Sequence, residues 1–177
     1  MKALVVYESM FGNTEQIARA VADGLRTRME VELVGADHAP PSPDDPLDLV
    51  VVGGPTHAFS MTRQNTREDA VRQGAQAGNA AYGIREWIDH LRNAPHSERV
   101  ATFDTRVARS GGRVRHFPGS AAKAAAKGLR KHGYEPLADP ESFWVEDTPG
   151  PLFPGEVERA RAWGEKLAKV VAPAGLR

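Results

Sequence analysis

The stretch from Leu4 to Thr14, Leu-Val-Val-Tyr-Glu-Ser-Met-Phe-Gly-Asn-Thr, constrains the fold more than any other. A short apolar run, Leu4 to Tyr7, breaks into a loop of hydroxyl, amide and glycine residues, and an amphipathic helix follows at once. Ile17, Val21 and Leu25 recur every fourth residue with Ala18 and Ala22 beside them. Gln16, Arg19, Asp23 and Arg26 fall on the other faces. Asn13 is the expected N-cap and Glu15 suits the first turn. A strand, a tight loop and a helix start together make an anion site, because the first helical turn has unpaired N–H groups and a dipole that favours negative charge. Ser9 and Thr14 add hydroxyls, Asn13 an amide, and Gly12 allows close backbone approach or positive φ. An ordinary polar strand–turn–helix with no ligand would show the same local residues.

The pattern repeats. Residues 2–7 are expected to form the first strand and 13–28 the first helix. Val31 to Val34 is a short second strand, before a proline-rich loop from Ala39 to Pro46. Leu47 to Gly53 is a buried strand ended by Gly53-Gly54-Pro55. A long segment, Thr56 to Ala81, holds a helix opened by Thr66-Arg67-Glu68-Asp69. Then come a helix from Ile84 to Leu91, a strand from Arg99 to Phe103, a glycine- and arginine-rich loop, and an alanine-rich helix over Ser120–Lys131. A strand at Glu141–Val145 and a helix at Glu156–Val171 complete the order. With no repeat or linker, residues 1–177 read as one domain. Alternating strands and helices predict an α/β fold, a parallel sheet covered on both faces. Ligands of such sheets bind beyond the carboxyl ends of the strands. Three loops leave those ends here: Glu8–Thr14, Gly54–Thr62 and Asp104–Gly112.

Composition narrows the function. Lys plus Arg and Asp plus Glu number 23 each, so bulk charge favours neither nucleic acid nor an acidic membrane. No apolar stretch approaches the ~20 residues of a membrane span, and the apolar start is too short for a signal peptide, so a cytoplasmic setting is expected. The absence of cysteine excludes disulfides, thiolate metal sites and cysteine nucleophiles. The first loop lacks the lysine of a P-loop, and there is neither a Gly-x-Gly-x-x-Gly nor a Gly-x-Ser-x-Gly element. The third strand ends in Gly54-Pro55-Thr56, where a receiver domain needs aspartate. The six histidines lack metal-ligand spacing.

Ser9-Met10-Phe11-Gly12-Asn13-Thr14 resembles the phosphate loop of the flavodoxin-like family. Its Ser-Met-aromatic-Gly-Asn-Thr-Glu form is similar to tryptophan-repressor-binding-protein type quinone reductases and to the flavodoxin modules of diiron flavoproteins. Gly53-Gly54-Pro55-Thr56-His57 resembles the second flavin loop, and Phe103 with Ser110-Gly111-Gly112 is a looser match to the third. The resemblance implies a doubly wound five-stranded parallel sheet in a three-layer α/β/α arrangement, binding FMN. It would place Ser9, Asn13, Thr14 and the N–H groups from Met10 through Phe11 and Gly12 to Thr14 around the phosphate. Pro55, Thr56, His57, Ala58 and Phe59 would run along the ribityl chain and ring, with His57 and Phe59 the flat groups for stacking. Asp104, Thr105 and Arg106 would approach the pyrimidine edge. Phe11 stands where many electron carriers have a hydroxyl, and no tryptophan or tyrosine occupies the second or third loop.

No catalytic side chain is implied. The resemblance leaves open a two-electron reductase between a nicotinamide and a quinone-type acceptor, a one-electron carrier, and a partner-binding protein without FMN. The neutral charge, unlike the acidity usual in carriers, and the long 56–81 segment favour the reductase. Redox partners would be small molecules or proteins. Arg106, Arg109, Arg113, Arg115 and His116 form either a solvated loop or a group at the ligand edge that grips an anion.

Overall fold

A computed structural model describes residues 1–41, 46–92, 97–108 and 119–172. In chain order the elements are β1 (Lys2–Tyr7), α1 (Asn13–Leu25), β2 (Glu30–Gly35), β3 (Leu49–His57), β4 (Ser60–Met61) and α2 (Gln64–Arg72). After them come α3 (Ile84–Asp89), β5 (Arg99–Val107), α4 (Ala121–Lys131), β6 (Glu135–Pro136), β7 (Glu141–Val145) and α5 (Glu156–Val171). The central sheet is parallel in the order β2-β1-β3-β5. The fifth position is shared: β6 pairs with Arg99 and Val100 of β5, and β7 with Phe103 to Val107. The five-position parallel sheet is thus the expected one, and β4 is a short antiparallel addition to β3.

Strand alternation divides the core into two layers. Ala3, Val5, Leu49, Val51, Ala101 and Phe103 face α1 and α5, where Ile17, Val21, Leu25, Ala160 and Leu167 pack. Leu4, Val6, Val50, Val52 and Val100 face α3 and α4, against Ile84, Trp87, Ile88, Ala125 and Leu129. Phe103, Phe143 and Trp163 meet edge to face with centroids 6.0–6.2 Å apart.

Two strands run further than the sequence suggests. Gly53 and Gly54 stay in β3 and pair with Phe103 and Asp104, and only glycine fits at 53, where a Cβ would lie 2.0 Å from the Phe103 ring. β5 continues past Phe103, so Asp104, Thr105 and Arg106 belong to a strand, not a loop. Helix starts shift as well. Gly12, not Asn13, is the N-cap of α1. α2 begins at Gln64, two residues before Thr66, whose hydroxyl donates to the Arg63 carbonyl (2.8 Å) and accepts its N–H (2.9 Å).

Candidate functional site

At the carboxyl ends of β1, β3 and β5 lies a solvent-open cleft of about 650 Å³. Ser9, Met10, Phe11, Asn13, Thr14, Pro55, Thr56, His57, Thr105 and Arg106 line it, ten residues singled out from the sequence. Gly12, Ala58, Phe59 and Asp104 stand outside that lining.

The first loop is built to leave donors unpaired. Gly12 adopts φ 87°, which an L side chain rarely tolerates, and provides no side-chain cap. Its N–H donates to Ser9 Oγ (3.1 Å), and the first helical bond runs from Gln16 N–H to Gly12 C=O (3.1 Å). The N–H groups of Asn13, Thr14 and Glu15 therefore have no acceptor among the described residues. Thr14 Oγ1 lies 2.7 Å from Thr105 Oγ1. If Thr105 donates, the Thr14 hydrogen remains for an anion, and Ser9, which accepts from Gly12, keeps its own hydrogen as well. The Asn13 side chain behaves differently: its Nδ2 donates to the Pro149 carbonyl (3.2 Å) and ties down the loop after β7.

The residues on β5 follow from strand alternation. Thr105 points with Phe103 towards α1, whereas Asp104 and Arg106 point towards α4. Asp104 is fully buried. Its Oδ2 accepts from the Thr56 hydroxyl (2.7 Å) and the Ala122 N–H (3.2 Å), while Thr56 Oγ1 accepts from the Ala121 N–H (2.8 Å). Asp104 and Thr56 thus cap α4, and Asp104 does not meet the cleft. Arg106 donates to the Gly119 carbonyl (3.0 Å), with its guanidinium 5.6 Å from the Trp144 ring centroid. Arg109, Arg113, Arg115, His116 and Ser110-Gly111-Gly112 lie outside the described residues.

Ala58 and Phe59 form the two-residue turn between β3 and β4, at φ 45° and 64°. Hairpin twist demands positive φ there, a conformation costing a non-glycine residue roughly 1–2 kcal/mol. Phe59 is 54% exposed and packs by Gly119, so of the two expected flat groups only His57 reaches the cleft.

The opposite wall comes from the long 56–81 segment, whose site residues beyond Phe59 sequence reading did not name. Thr62, Thr66, Ala70 and Gln73, from the β4–α2 segment, line the cleft, as do Val107, Val145 and Thr148. Thr66, Ala70 and Gln73 follow i, i+4, i+7 spacing, the one signal that could have marked a common helix face. Behind this wall Arg67 is 0% exposed. Its Nε donates to the Ala80 carbonyl (2.9 Å) and its Nη1 to Thr62 Oγ1 (2.9 Å). Its Nη2 stands 2.9 Å from Glu86 Oε1, a close ionic contact poorly aligned for a hydrogen bond. Thr62 in turn donates to Glu8 Oε1 (2.5 Å), and Glu8 Oε2 accepts from the Ile84 N–H (3.0 Å). Burial pushes the Glu8 carboxyl above the usual range, against the pull of Thr62, the Ile84 N–H and Arg67. Burial also pushes Glu86 upward, but the contact with Arg67 and backbone N–H groups, including that of Gly83, outweigh it and hold Glu86 below the ordinary value.

Comparison with known proteins agrees with this architecture. Residues 5–84 match the family model described as Flavodoxin. Flavodoxin FldP of Pseudomonas aeruginosa (strain UCBPP-PA14) is 30% identical over 93 residues, 51% of this chain and 47% of that protein, so the match spans about half of that relative's length. A solved flavodoxin from the domain Archaea superposes with TM-score 0.63 at 18% identity, covering 97% of this chain and 99% of that one. The fold is that of a flavodoxin. Its fold is also that of a portion of the rubredoxin oxygen:oxidoreductase of Desulfovibrio gigas, with TM-score 0.61 at 19% identity over 96% of this chain and 36% of that one. The family-model match takes in the first loop, β3 with its following turn, and the α2 wall. Among the described residues no helix is long and apolar enough to cross a membrane, and no group of His, Asp and Glu is arranged to hold a metal ion.

Proposed function

We propose that the cleft holds FMN and that the protein is an oxidoreductase passing two electrons from a nicotinamide to a quinone-type acceptor, in a cytoplasmic setting. The observation that carries the FMN reading is the uncapped start of α1, with three backbone N–H groups lacking acceptors beside the Ser9 and Thr14 hydroxyls. Neutral donors at a helix start suit a phosphate near two negative charges. The adjoining open cleft, walled by Met10, Pro55, His57, Ala70 and Val107, offers an apolar surface to a flat ring system. Residues and cofactor therefore fit. Ser9, Thr14 and the N–H groups of residues 13–15 would hold the phosphate; Pro55 to His57 and the α2 wall would hold the rest.

Bound FMN supplies reversible two-electron chemistry, and the chain supplies its position and electrostatics. Two-electron use is favoured by the lining itself, which contains Arg106 and, among the described residues, no carboxylate. Such a neutral-to-positive wall would favour negative charge on a group bound in the cleft. Thr62, Thr66 and Gln73 add neutral hydrogen-bonding groups. A one-electron carrier docking a protein is the second reading, favoured by Val107, which lines the cleft and is 38% exposed, and by Phe59, 54% exposed in the β3–β4 turn.

The test is a fluorescence titration with FMN, followed by steady-state assays. The reading expects saturable quenching at one site, then oxidation of NADH or NADPH that requires an added quinone. Binding without nicotinamide oxidation, combined with electron delivery to a redox protein, would favour the carrier. A sample that stays colourless with excess FMN would leave a partner-binding protein.

A further inference from the structure

The segment between β4 and α3 does more than line the cleft. Residues 62–83 grip the rear of the first loop, and Arg67 holds them there. Ala77 N–H donates to the Met10 carbonyl (3.3 Å). Gly78, at φ 78°, is so close to the Ser9 carbonyl that a Cβ would lie 2.5 Å from its oxygen. Ser9 separates the cleft from a second hollow, which Ala77, Gly78 and Asn79 line. The carbonyls of Ser9 and Met10 are thus directed to the rear. In a planar trans peptide the next N–H opposes the carbonyl, so the N–H groups of Met10 and Phe11 are turned away from residues 77 and 78, towards the cleft.

Arg67 anchors the gripping segment at three points. It binds Ala80 just beyond the contact residues, Thr62 at the segment's start, and Glu86 on α3. Thr62 carries the connection on to Glu8, the residue preceding Ser9, whose N–H also donates to the Gly53 carbonyl (2.9 Å). The loop is held at its first residue through Thr62 and at its carbonyls through residues 77 and 78.

We propose that Arg67 is a positioning residue that, through Ala77–Gly78 and Thr62–Glu8, aims the first loop's N–H groups at the phosphate of the bound flavin, and so sets the preference for FMN over riboflavin. The proposal rests on the FMN reading above. It differs from a role in general stability because it predicts loss of the phosphate's share of affinity alone.

The test compares dissociation constants of FMN and riboflavin for the wild-type protein, Arg67→Met and Gly78→Ala. Arg67→Met keeps the stem's bulk without the fork. Gly78→Ala pushes on the Ser9 carbonyl from outside the cleft. In both variants the FMN-over-riboflavin preference is expected to fall by at least about tenfold, with riboflavin binding within about threefold of wild type. Parallel weakening of both flavins, or an unchanged preference, would overturn the proposal. If Arg67→Met does not fold by circular dichroism, Gly78→Ala decides. Absence of FMN binding by the wild type would instead sink the FMN reading.

Discussion

The first loop and the end of β5 carry the same kinds of residue and use them in opposite ways. Around Ser9 to Thr14, hydroxyls and N–H groups are left with capacity to spare, and the helix they open has no side-chain cap. At Asp104 and Arg106, polar groups bond within the protein, although Asp104 Oδ1 is left without a partner. Asp104 and Thr56 close the start of α4, and Arg106 holds the Gly119 carbonyl. Polarity at a strand's carboxyl end therefore does not by itself mark a ligand contact. What separates the two regions is whether the donors already have acceptors.

Asp104→Ala should break this contrast most visibly. Losing a buried carboxylate that holds Thr56 and the Ala122 N–H should lower stability by about 3 kcal/mol, read as the shift in urea midpoint. FMN affinity of the folded fraction should change less than threefold. A large affinity loss at unchanged stability would return Asp104 to the ligand. Thr14→Val should give the reverse pattern, with FMN binding weakened about tenfold and stability altered by less than ~1 kcal/mol, by fluorescence titration and urea melting on one preparation.

A pH comparison sharpens the contrast at the loop's buried end. Because the folded-state value of Glu8 is raised, the folded state binds its proton more tightly than the unfolded state. This group's contribution to stability is fullest below the ordinary carboxylate value and is lost as pH rises through the raised one. Glu86 has the opposite sign: its contribution is present above the unfolded value and is lost as pH falls through the lowered one. Relative to Glu8→Gln, wild type should therefore gain stability on moving from pH 7.5 to 5. Urea midpoints at the two pH values check the sign, and an opposite slope would mean that Arg67 outweighs burial at Glu8.

The smallest effect concerns the β3–β4 turn. Ala58→Gly relieves a positive-φ conformation and should raise stability by roughly 0.5–1 kcal/mol, measured by urea melting.

Much of this was legible in the residues. Apolar runs at Leu4 to Tyr7 and Leu47 to Val52 and the fourfold spacing of Ile17, Val21 and Leu25 marked β1, the first half of β3 and α1. Ten of the fourteen expected site residues line the cleft. Asp104 to Arg106 fall in a strand and not in a loop because pairing continues past Phe103, with β3 as far as Thr105 and with β7 as far as Val107, where turn-forming composition suggested a break. The α2 wall was hidden because its cleft-facing residues, Thr66, Ala70 and Gln73, are no more apolar than a solvated face. Arg67 on the same helix reads as a surface charge. Only tertiary contacts with Thr62, Ala80 and Glu86 show that it is buried.

Calorimetric titration of the wild-type protein with FMN and with riboflavin tests the central claim most directly. Two or more hydrogen bonds to a phosphate at the start of α1 predict one exothermic FMN site, with riboflavin at least about 100-fold weaker. Equal affinities for the two flavins, or no heat with FMN, would contradict an anion seated on the N–H groups of residues 13–15.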